Sequence, residues 1–255
     1  MKLYTVQPLE VLLKVKKFGA LTSRSYILED EDEITKFFLP SYKWMKDQML
    51  KRLPHFKPNE ETFPWWGWCR YGGKDNKPKF SEQYYRDLLK RLDEIQVIIE
   101  LEIPDELVLL SDFDAWHFRL NTWFLGYEYE IREFEKYIIN KCNMAKKDLK
   151  KPLTLNYMSL LTIDNEELRK EFFGMLNNNW ERMFDLNLCP KILRFKKEHQ
   201  QIQGNFWELK WEYVRSVKIK GGIIDRVICL PYSKLYQLED KLKNMVDIDE
   251  MISLN

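Results

Sequence analysis

Two carboxylates, an indole and one of the three histidines fall within the run Ser111–His117, directly after a predicted strand. In extended chain Asp112 and Asp114 point to the same side. If a helical turn begins at Asp114, His117 lies three residues further on along the same face. Such groups could bind a divalent metal ion or hold the hydroxyls of a sugar. Equally, an aspartate could cap the turn while His117 bonds a backbone group, so three interpretations are open.

A second group with recognition chemistry is the tryptophan-rich segment Phe63–Arg70. If this segment is a strand, Trp66 and Trp68 share one face and Arg70 continues their row. Two indoles and a guanidinium on one face can stack on a flat ring and hold an anion. The same row could instead fill the core with Arg70 at its rim, and the sequence is compatible with both.

Amide side chains alternate along a later segment, Gln200–Glu208. On a strand, Gln201, Gln203 and Asn205 point one way, which suits hydrogen bonding to a ligand or an exposed sheet edge. Gly204 allows close approach of another backbone or of a ligand.

The first strand, predicted at Leu3–Val6, is followed by Gln7 at the point where a helix begins. The Gln7 amide could cap that helix or reach a ligand at the strand end. Pro8 suits the first turn of the helix and Gly19 its end.

Hydrophobic periodicity and breaker residues predict the elements that must position these groups. Further strands are predicted at Phe63–Trp68, Ile95–Ile103, Val108–Leu110, Ile202–Leu209 and Val214–Ile219, with turns at Gly72-Gly73 and Gly221-Gly222. Helices are predicted over Ser81–Arg91, Tyr127–Ile139 and Ser233–Val246. Another helix is predicted to begin at Asp32 and to be kinked or divided at Pro40. A further helix should begin at a capping box at Asp164 and run to about Leu176, where Asn177–Asn179 end it.

Strands at both ends of the chain with helices between them predict one α+β domain over residues 1–255, with a split or mixed sheet. The lysine-rich segment 141–152 is the only plausible break, and a division near residue 150 is the lesser option.

Composition restricts the class of protein. Apolar residues make up 45% and charged residues 32%, as in globular chains, and a net charge of +1 provides no overall attraction for nucleic acid or membranes. Four scattered cysteines fit neither a zinc site nor a disulfide framework, and no apolar run approaches the ~20 residues of a membrane helix. With no signal segment at the start, we expect a cytoplasmic protein. Phosphate-binding glycine loops, a nucleophile elbow and paired-histidine metalloprotease motifs are absent, so ATP-driven, serine-hydrolase and dinucleotide-fold dehydrogenase activities have no support.

Four motifs together resemble a bacterial family, also found in mobile elements, that is catalogued as a domain of unknown function. They are LYTVQPLE at Leu3–Glu10, WGW at Trp66–Trp68, LEIPDELVLLSDFDAWH at Leu101–His117 and IQGNFWEL at Ile202–Leu209. Tyr42–Met49 accompanies the second motif. The resemblance covers about residues 1–125 and 200–218, and its specificity lies in the order of the motifs. It implies no established activity.

A weaker resemblance is to the ADP-ribosyltransferase superfamily, which consists of small split-sheet α+β folds. It implies a ligand contact on the first strand, aromatic residues beside the nicotinamide and a late strand bearing Glu or Gln. Gln7, Trp66 or Trp68, and Gln203 could occupy those places. The usual catalytic residue is most often Glu, and Gln203 can bond a ribose hydroxyl but cannot act as a base. A carboxylate such as Asp112 or Asp114 would have to compensate, or the chemistry has been lost.

The leading hypothesis is therefore an ADP-ribosyltransferase-like enzyme that uses NAD as substrate, a toxin or phage-conflict effector with an unknown acceptor macromolecule. Its expected catalytic residues are Gln203, Asp112, Asp114 and His117, and its expected NAD-binding residues are Tyr4, Gln7, Trp66, Trp68 and Arg70. The alternative is a non-catalytic binding module for a protein or nucleic acid, in which the lysines of Lys146–Lys151 make the contact. A third hypothesis is a metal-dependent hydrolase or nuclease whose metal ion is held by Asp112, Asp114 and His117. Outside that hypothesis, no residue is expected to bind a metal ion. No membrane partner is expected.

Overall fold

The computed structural model describes residues 1–24, 33–53, 58–59, 61–71, 77–79, 95–142, 165–221, 224–243 and 245–248. The chain packs into two compact units. The first comprises residues 1–110 and 203–255, and the second comprises residues 111–202. The α+β class predicted from the sequence is confirmed by the elements of the two units. The assignment of residues 1–255 to one domain stays a prediction.

A seven-stranded sheet and a three-stranded sheet contain the strands. In chain order these are β1 Lys2–Pro8, β2 Ala20–Arg24, β3 Thr62–Phe63, β4 Trp65–Arg70, β5 Gln96–Glu102, β6 Leu109–Asp112, β7 Ile202–Phe206, β8 Glu208–Lys210, β9 Val214–Gly221 and β10 Ile224–Pro231. The large sheet has the order β10-β9-β5-β1-β4-β7-β6, and the small sheet has the order β3-β2-β8. Strand β1 therefore lies at the centre of the large sheet.

The neighbouring strands β1, β5 and β9 of the large sheet are paired antiparallel, with a register shift in the β5–β9 pair between Glu100 and Leu101. Leu3 of β1 lies opposite Leu101 of β5, and Thr5 lies opposite Ile99. Ile99 in turn lies opposite Val217 of β9. Because residues directly opposite each other point to the same side of a sheet, these positions form one apolar face. That face packs in the main core of the first unit with helix α1, Leu9–Phe18.

The glycines of strands β4 and β7 lie close to Leu3, which shows which way the side chains of these two strands point. A Cβ added at Gly67 of β4 would lie 3.2 Å from Leu3 Cβ, and one added at Gly204 of β7 would lie 2.9 Å from Leu3 Cδ2 and 2.7 Å from Val108 Cγ1. Gly67 and Gly204 thus face the core. The alternating residues of β4 and β7 point to the opposite side, which we call the second face of the large sheet.

In the part of the first unit that the structure describes, two later helices follow, α2 at Glu33–Arg52 and α7 at Leu238–Leu242. Pro40 lies inside α2 without dividing it. The small sheet is tied to the large one through Trp65, whose indole Nε1 donates to the Leu21 carbonyl at 3.1 Å.

The second unit is mainly helical, with α3 Phe113–Leu120, α4 Glu128–Cys142, α5 Glu166–Trp180 and the short α6 Cys189–Ile192. Asn179 on α5 holds the backbone of Leu125 on both sides, because its Oδ1 accepts from Leu125 N at 2.6 Å and its Nδ2 donates to Leu125 O at 2.8 Å. Arg182 makes a bidentate ion pair with Glu130 at 2.8 Å. The buried bonds of Asn179 and the half-buried ion pair of Arg182 join the segment that begins α4 to the segment that ends α5.

Most predicted elements are confirmed within a few residues, including the first strand and helix, the strands around residues 95–103 and 214–219, and the helix at 127–139. Several details of the prediction are wrong. The strand predicted at Ile202–Leu209 breaks at Trp207 into β7 and β8, which belong to different sheets. Strands β2 and β10 were not expected, and the C-terminal helix is a 3-10 segment, Tyr232–Gln237, followed by the short α7.

The ends of helix α5 also differ from the prediction. Its N-cap is Asn165, whose side chain accepts from Leu168 N, and the helix continues to Trp180 through Asn177–Asn179. The three asparagines were expected to end it, but the bonds of Asn179 to Leu125 stabilise the additional turn. The predicted cap Asp32, the Gly72-Gly73 turn, the helix Ser81–Arg91, the capping residue Asp164, the lysines Lys146–Lys151 and all but the first two residues of the 141–152 break lie outside the described residues.

Gly204→Ala should destabilise the protein by about 1–3 kcal/mol, because the new methyl group overlaps the buried side chains of Val108 and Leu3. The matched control is Gly174→Ala in α5, where nothing lies within 4 Å of an added Cβ. That change should stabilise the protein by about 0.5–1 kcal/mol, because alanine favours helix over glycine. Thermal or urea unfolding measures both, and equal effects of the two variants would contradict the packing described for Gly204.

Candidate functional site

A row of four side chains crosses the second face of the large sheet. Tyr4 of β1 lies opposite Trp68 of β4 on one side and opposite Glu100 of β5 on the other. Glu100 in turn lies opposite Ser216 of β9, and the Ser216 hydroxyl donates to Glu100 Oε2 at 3.0 Å. Two aromatic rings, a carboxylate and a hydroxyl are therefore direct neighbours on four adjacent strands.

The tryptophan row predicted from the sequence lies on this second face. Trp66 and Arg70 share the side of Trp68 by strand alternation, while Gly67 between the two tryptophans faces the core. Trp66 meets the ring of Tyr42 on α2 edge to face, with the centroids 6.2 Å apart. Trp66 and Trp68 are half-buried and do not belong to the main core on the other side of the sheet, so both interpretations of the tryptophan row stay predictions.

Two lysines surround the carboxylate of the row. Lys2 Nζ lies 2.7 Å from Glu100 Oε1, and Lys77 Nζ lies 3.4 Å from Glu100 Oε2 and 5.3 Å from the centre of the Tyr4 ring. Burial alone would raise the pKa of Glu100. Hydrogen bonds from Lys2 and Ser216 and the positive charge of Lys77 outweigh burial and hold that pKa below its ordinary value. Glu100 is therefore ionised at neutral pH.

The second face is locally basic although the whole chain has a net charge of only +1. Lys218 lies opposite Ile98 and Lys220 lies opposite Gln96, so both lysines belong to the side of Glu100. With Lys2, Lys77 and Arg70 they bring five positive charges to this face, against the carboxylates of Glu100 and of Glu102, which pairs with Arg215 at 2.8 Å. Such a distribution favours an anionic ligand.

Strand β7 adds two buried amides to the second face. Gln203 and Asn205 alternate with Gly204 and Phe206, which face the core, so both amides point to the side of Trp66 and Trp68 on the neighbouring strand. Gln203 is 8% exposed and Asn205 is completely buried. Among the described residues, Gln203 Oε1 and both amide atoms of Asn205 have no hydrogen-bond partner.

Gln7 and Gly204 both lie on the core side of the large sheet. Gln7 lies opposite Val97 on the core side of the sheet, away from Tyr4, and its amide donates to Thr5 Oγ1 at 2.7 Å. The structure thus separates Gln7 from the other residues expected to bind NAD. The close neighbours of Gly204 are the core side chains of Leu3 and Val108, rather than a backbone or a ligand.

In the second unit, Asp112 is the N-cap of α3. Its Oδ1 accepts from Ala115 N at 2.9 Å, and its Oδ2 accepts from Gln200 Nε2 at 2.8 Å. Gln200 also donates to the Leu186 carbonyl at 2.9 Å. The Asp112 carboxylate and the Gln200 amide therefore connect the start of α3 with the segments around residues 186 and 200. Burial raises the pKa of Asp112 despite these bonds, and the charge of Asp114 adds to the rise. The capping interpretation of Asp112 is confirmed.

His117 and Asp114 lie on the same short helix. His117 Nδ1 is 2.9 Å from the Phe113 carbonyl, and its ring meets the Phe113 ring edge to face at 4.5 Å. His117 therefore bonds a backbone group, as one interpretation of the sequence predicted. Burial raises the pKa of Asp114, and the charge of His117 opposes that rise.

Among the described residues, no three side chains of His, Cys, Asp or Glu come together in a group that could hold a metal ion. Asp112, Asp114 and His117 thus form no such group. None of the described helices combines the length and apolarity that crossing a membrane requires.

Sequence reasoning missed four residues of the second face: Glu100, Ser216, Lys2 and Lys77. They lie on different strands or segments far apart in sequence, and only the register brings them beside Tyr4. Alternation at Ile95–Ile103 does place Glu100 on the polar side of its strand, which was the one available signal. The amide of Asn205 was noticed in its strand pattern but was not assigned to the site.

A family model described as a domain of unknown function, DUF3841, matches residues 2–215. No curated protein and no solved structure matches the chain. The resemblance to a domain-of-unknown-function family is thereby confirmed, whereas the resemblance to ADP-ribosyltransferases stays a prediction.

Asp112→Asn should change how stability depends on pH. A carboxyl group whose pKa is higher in the folded state than its ordinary 3.8 reduces stability as pH rises from that value through the raised pKa. Each unit of the rise costs about 1.4 kcal/mol above that window. The stability of the wild type relative to Asp112→Asn should therefore fall as pH rises from 3.8 through the raised pKa, as urea unfolding at a series of pH values would measure.

The control for capping is Asn165→Ala, which removes only an exposed cap of α5 and should cost about 1 kcal/mol. Asp112→Ala should cost more, because it also leaves the buried Gln200 amide without its partner. A pH-independent difference between the wild type and Asp112→Asn would contradict the raised pKa of this carboxyl group.

Proposed function

Since the chain belongs to the domain-of-unknown-function family DUF3841, whose name assigns no activity, we propose a function from the second face of the large sheet: it binds NAD and transfers its ADP-ribosyl group. The observation that supports this proposal most is the row Trp68–Tyr4–Glu100–Ser216, which joins aromatic rings to an ionised carboxylate. A ligand that contains flat rings, sugar hydroxyls and phosphates matches that set of groups.

Each part of NAD has a chemically suitable partner on this face. Trp66 and Trp68 can stack on the nicotinamide or adenine ring. The cations Lys2, Arg70 and Lys218 suit the pyrophosphate, which carries two negative charges. Gln203 can donate to or accept from a ribose hydroxyl. Tyr4 contributes a further ring between the tryptophans and the carboxylate.

The chemistry assigned to Glu100 is stabilisation of positive charge. When the bond between ribose C1′ and the nicotinamide nitrogen breaks, its electron pair goes to the ring nitrogen and nicotinamide leaves as a neutral molecule. Positive charge then grows on the ribose, and an ionised carboxylate nearby stabilises it. The acceptor nucleophile forms the new bond to C1′ and loses its proton. Glu100 supplies the carboxylate that Gln203 lacks.

The residues Asp112, Asp114 and His117 are expected from the sequence to take part in catalysis, and that remains a proposal for Asp114 and His117. Both oxygens of Asp112 are already used in capping α3 and holding Gln200, which supports a structural role for this residue instead. The toxin or phage-conflict role likewise stays a proposal whose acceptor macromolecule has to be identified experimentally.

Purified protein incubated with NAD should bind it, measured by calorimetry, and release nicotinamide, measured by chromatography. Trp68→Ala should weaken NAD binding by about 1–3 kcal/mol, the effect typical of losing one stacked ring. Glu100→Gln should bind NAD within severalfold of wild type but release little nicotinamide. The matched control is Tyr236→Ala, which removes an aromatic side chain that is 73% exposed in the same unit and should change neither quantity.

Binding of NAD without nicotinamide release, in the presence of bacterial lysate as a source of acceptors, would contradict the transfer step and favour a non-catalytic binding module. Neither binding nor release by the wild type would overturn the proposed function altogether.

A further inference from the structure

The side chain of Asn205 is buried in the first unit without hydrogen bonds to the described residues. It is completely buried, and among the described residues neither its Nδ2 donor nor its Oδ1 acceptor has a hydrogen-bond partner. Burying an amide without hydrogen bonds is unfavourable, and buried amides in folded proteins are normally paired. A donor and an acceptor that both lack partners indicate that something other than these residues completes the site.

The rest of the protein shows how a buried asparagine is normally satisfied. Asn179, which is 8% exposed, uses its Oδ1 and Nδ2 to bond the backbone N and O of Leu125. Asn205 has the same side chain and even less exposure, but it is not used to hold the fold in this way. The contrast points to a function for Asn205 other than structure.

The position of Asn205 indicates what kind of group would satisfy it. It points to the second face, on the strand next to the tryptophans of β4. Gln203 points to the same side about 7 Å further along the strand, and its Oε1 acceptor also lacks a partner among the described residues. Buried amides next to a strand that carries aromatic rings suit a flat, polar ring.

We propose that Asn205, assisted by Gln203, forms a subsite for a planar ring that carries a hydrogen-bond donor and acceptor side by side. An asparagine amide pairs with such an edge through two bonds, as it does with the amino group and ring nitrogen of adenine. The carboxamide of nicotinamide has the same chemistry. This subsite would recognise the edge of the ligand ring that carries the donor and the acceptor. The proposal rests on the proposed use of NAD, which contains both adenine and nicotinamide.

Recognition by a buried amide is selective, because a ring without the complementary edge leaves the amide unpaired in a dry site. We therefore expect NAD, and one of AMP or nicotinamide, to stabilise the protein. Inosine monophosphate, in which a carbonyl replaces the adenine amino group, serves as the mismatched ring for AMP. Nicotinic acid, in which a carboxylate replaces the carboxamide, serves as the mismatch for nicotinamide.

The test compares Asn205→Leu with wild type by thermal unfolding and by calorimetric titration with these ligands. Leucine has a similar size and removes an amide that lacks partners, so the ligand-free variant should unfold at an equal temperature or about 2–4 °C higher. Its affinity for the matched ligands should fall at least tenfold. The matched control is Asn179→Leu, which should unfold at a clearly lower temperature because it removes two satisfied bonds to Leu125.

The outcomes separate this subsite from the proposed function. If NAD binds and Asn205→Leu binds it within twofold of wild type, the subsite is wrong while the NAD proposal stands. If NAD fails to bind but AMP or nicotinamide binds in a way that depends on Asn205, the subsite is supported and the NAD proposal is overturned.

The subsite is also overturned if Asn205→Leu unfolds at a lower temperature, as Asn179→Leu should, while its ligand affinity is unchanged. In that case the Asn205 amide would hold only a buried water molecule. Failure of NAD, AMP and nicotinamide to bind the wild type overturns it as well. Gln203→Leu provides an independent variant if Asn205→Leu does not fold, and a tenfold loss of affinity there supports the subsite while unchanged affinity counts against it.

Discussion

The contact of Leu3 with two glycines is the constraint on which the architecture of the first unit depends. Leu3 lies on the central strand, and Gly67 and Gly204 bring the neighbouring strands against its side chain on the core side. A strand register that slipped by one residue would turn every side chain to the other face. By facing the core, the two glycines place Trp66 and Trp68, and Gln203 and Asn205, together on the second face. The fold and the candidate site are therefore determined by the same packing contact.

Buried polar groups take two different roles in this protein. In the second unit Asp112 and Asn179, with the half-buried Glu130, bond specific backbone or side-chain partners and hold helix ends and loops in place. Thr122, which follows α3 with a φ of 55°, adds a backbone conformation that is unfavourable for a β-branched residue, and the surrounding bonds stabilise it. In the first unit Gln203 Oε1 and both amide atoms of Asn205 have no such partner among the described residues. Within the described part of the chain, Ser111 Oγ and Gln200 Oε1 of the second unit lack partners as well, so what distinguishes Asn205 is that both atoms of its amide are unpaired.

The sequence alone predicted much of the fold, because alternation and capping are local. A strand leading into the Ser111–His117 run was predicted, and the cap at Asp112 with the bond of His117 to a backbone group was one of three interpretations that local spacing allowed. The same local reasoning misjudged Asn177–Asn179 and Gly204. In both cases the decisive partner, Leu125 or Leu3, is distant in sequence and cannot be identified from the surrounding residues.

The charge distribution on the second face could likewise not be predicted from the sequence, because it depends on residues that are distant in the chain. A net charge of +1 indicated no overall attraction for nucleic acid or membranes, but net charge averages over all surfaces. The register collects Lys2, Lys218 and Lys220 on one face and places the carboxylates of Glu100 and Glu102 on the same side. Burial would raise the pKa of Glu100, but the hydrogen bonds from Lys2 and Ser216 and the charge of Lys77 lower it. A binding face of this kind arises from strand pairing, so the ligand preference of the protein depends on topology as much as on composition.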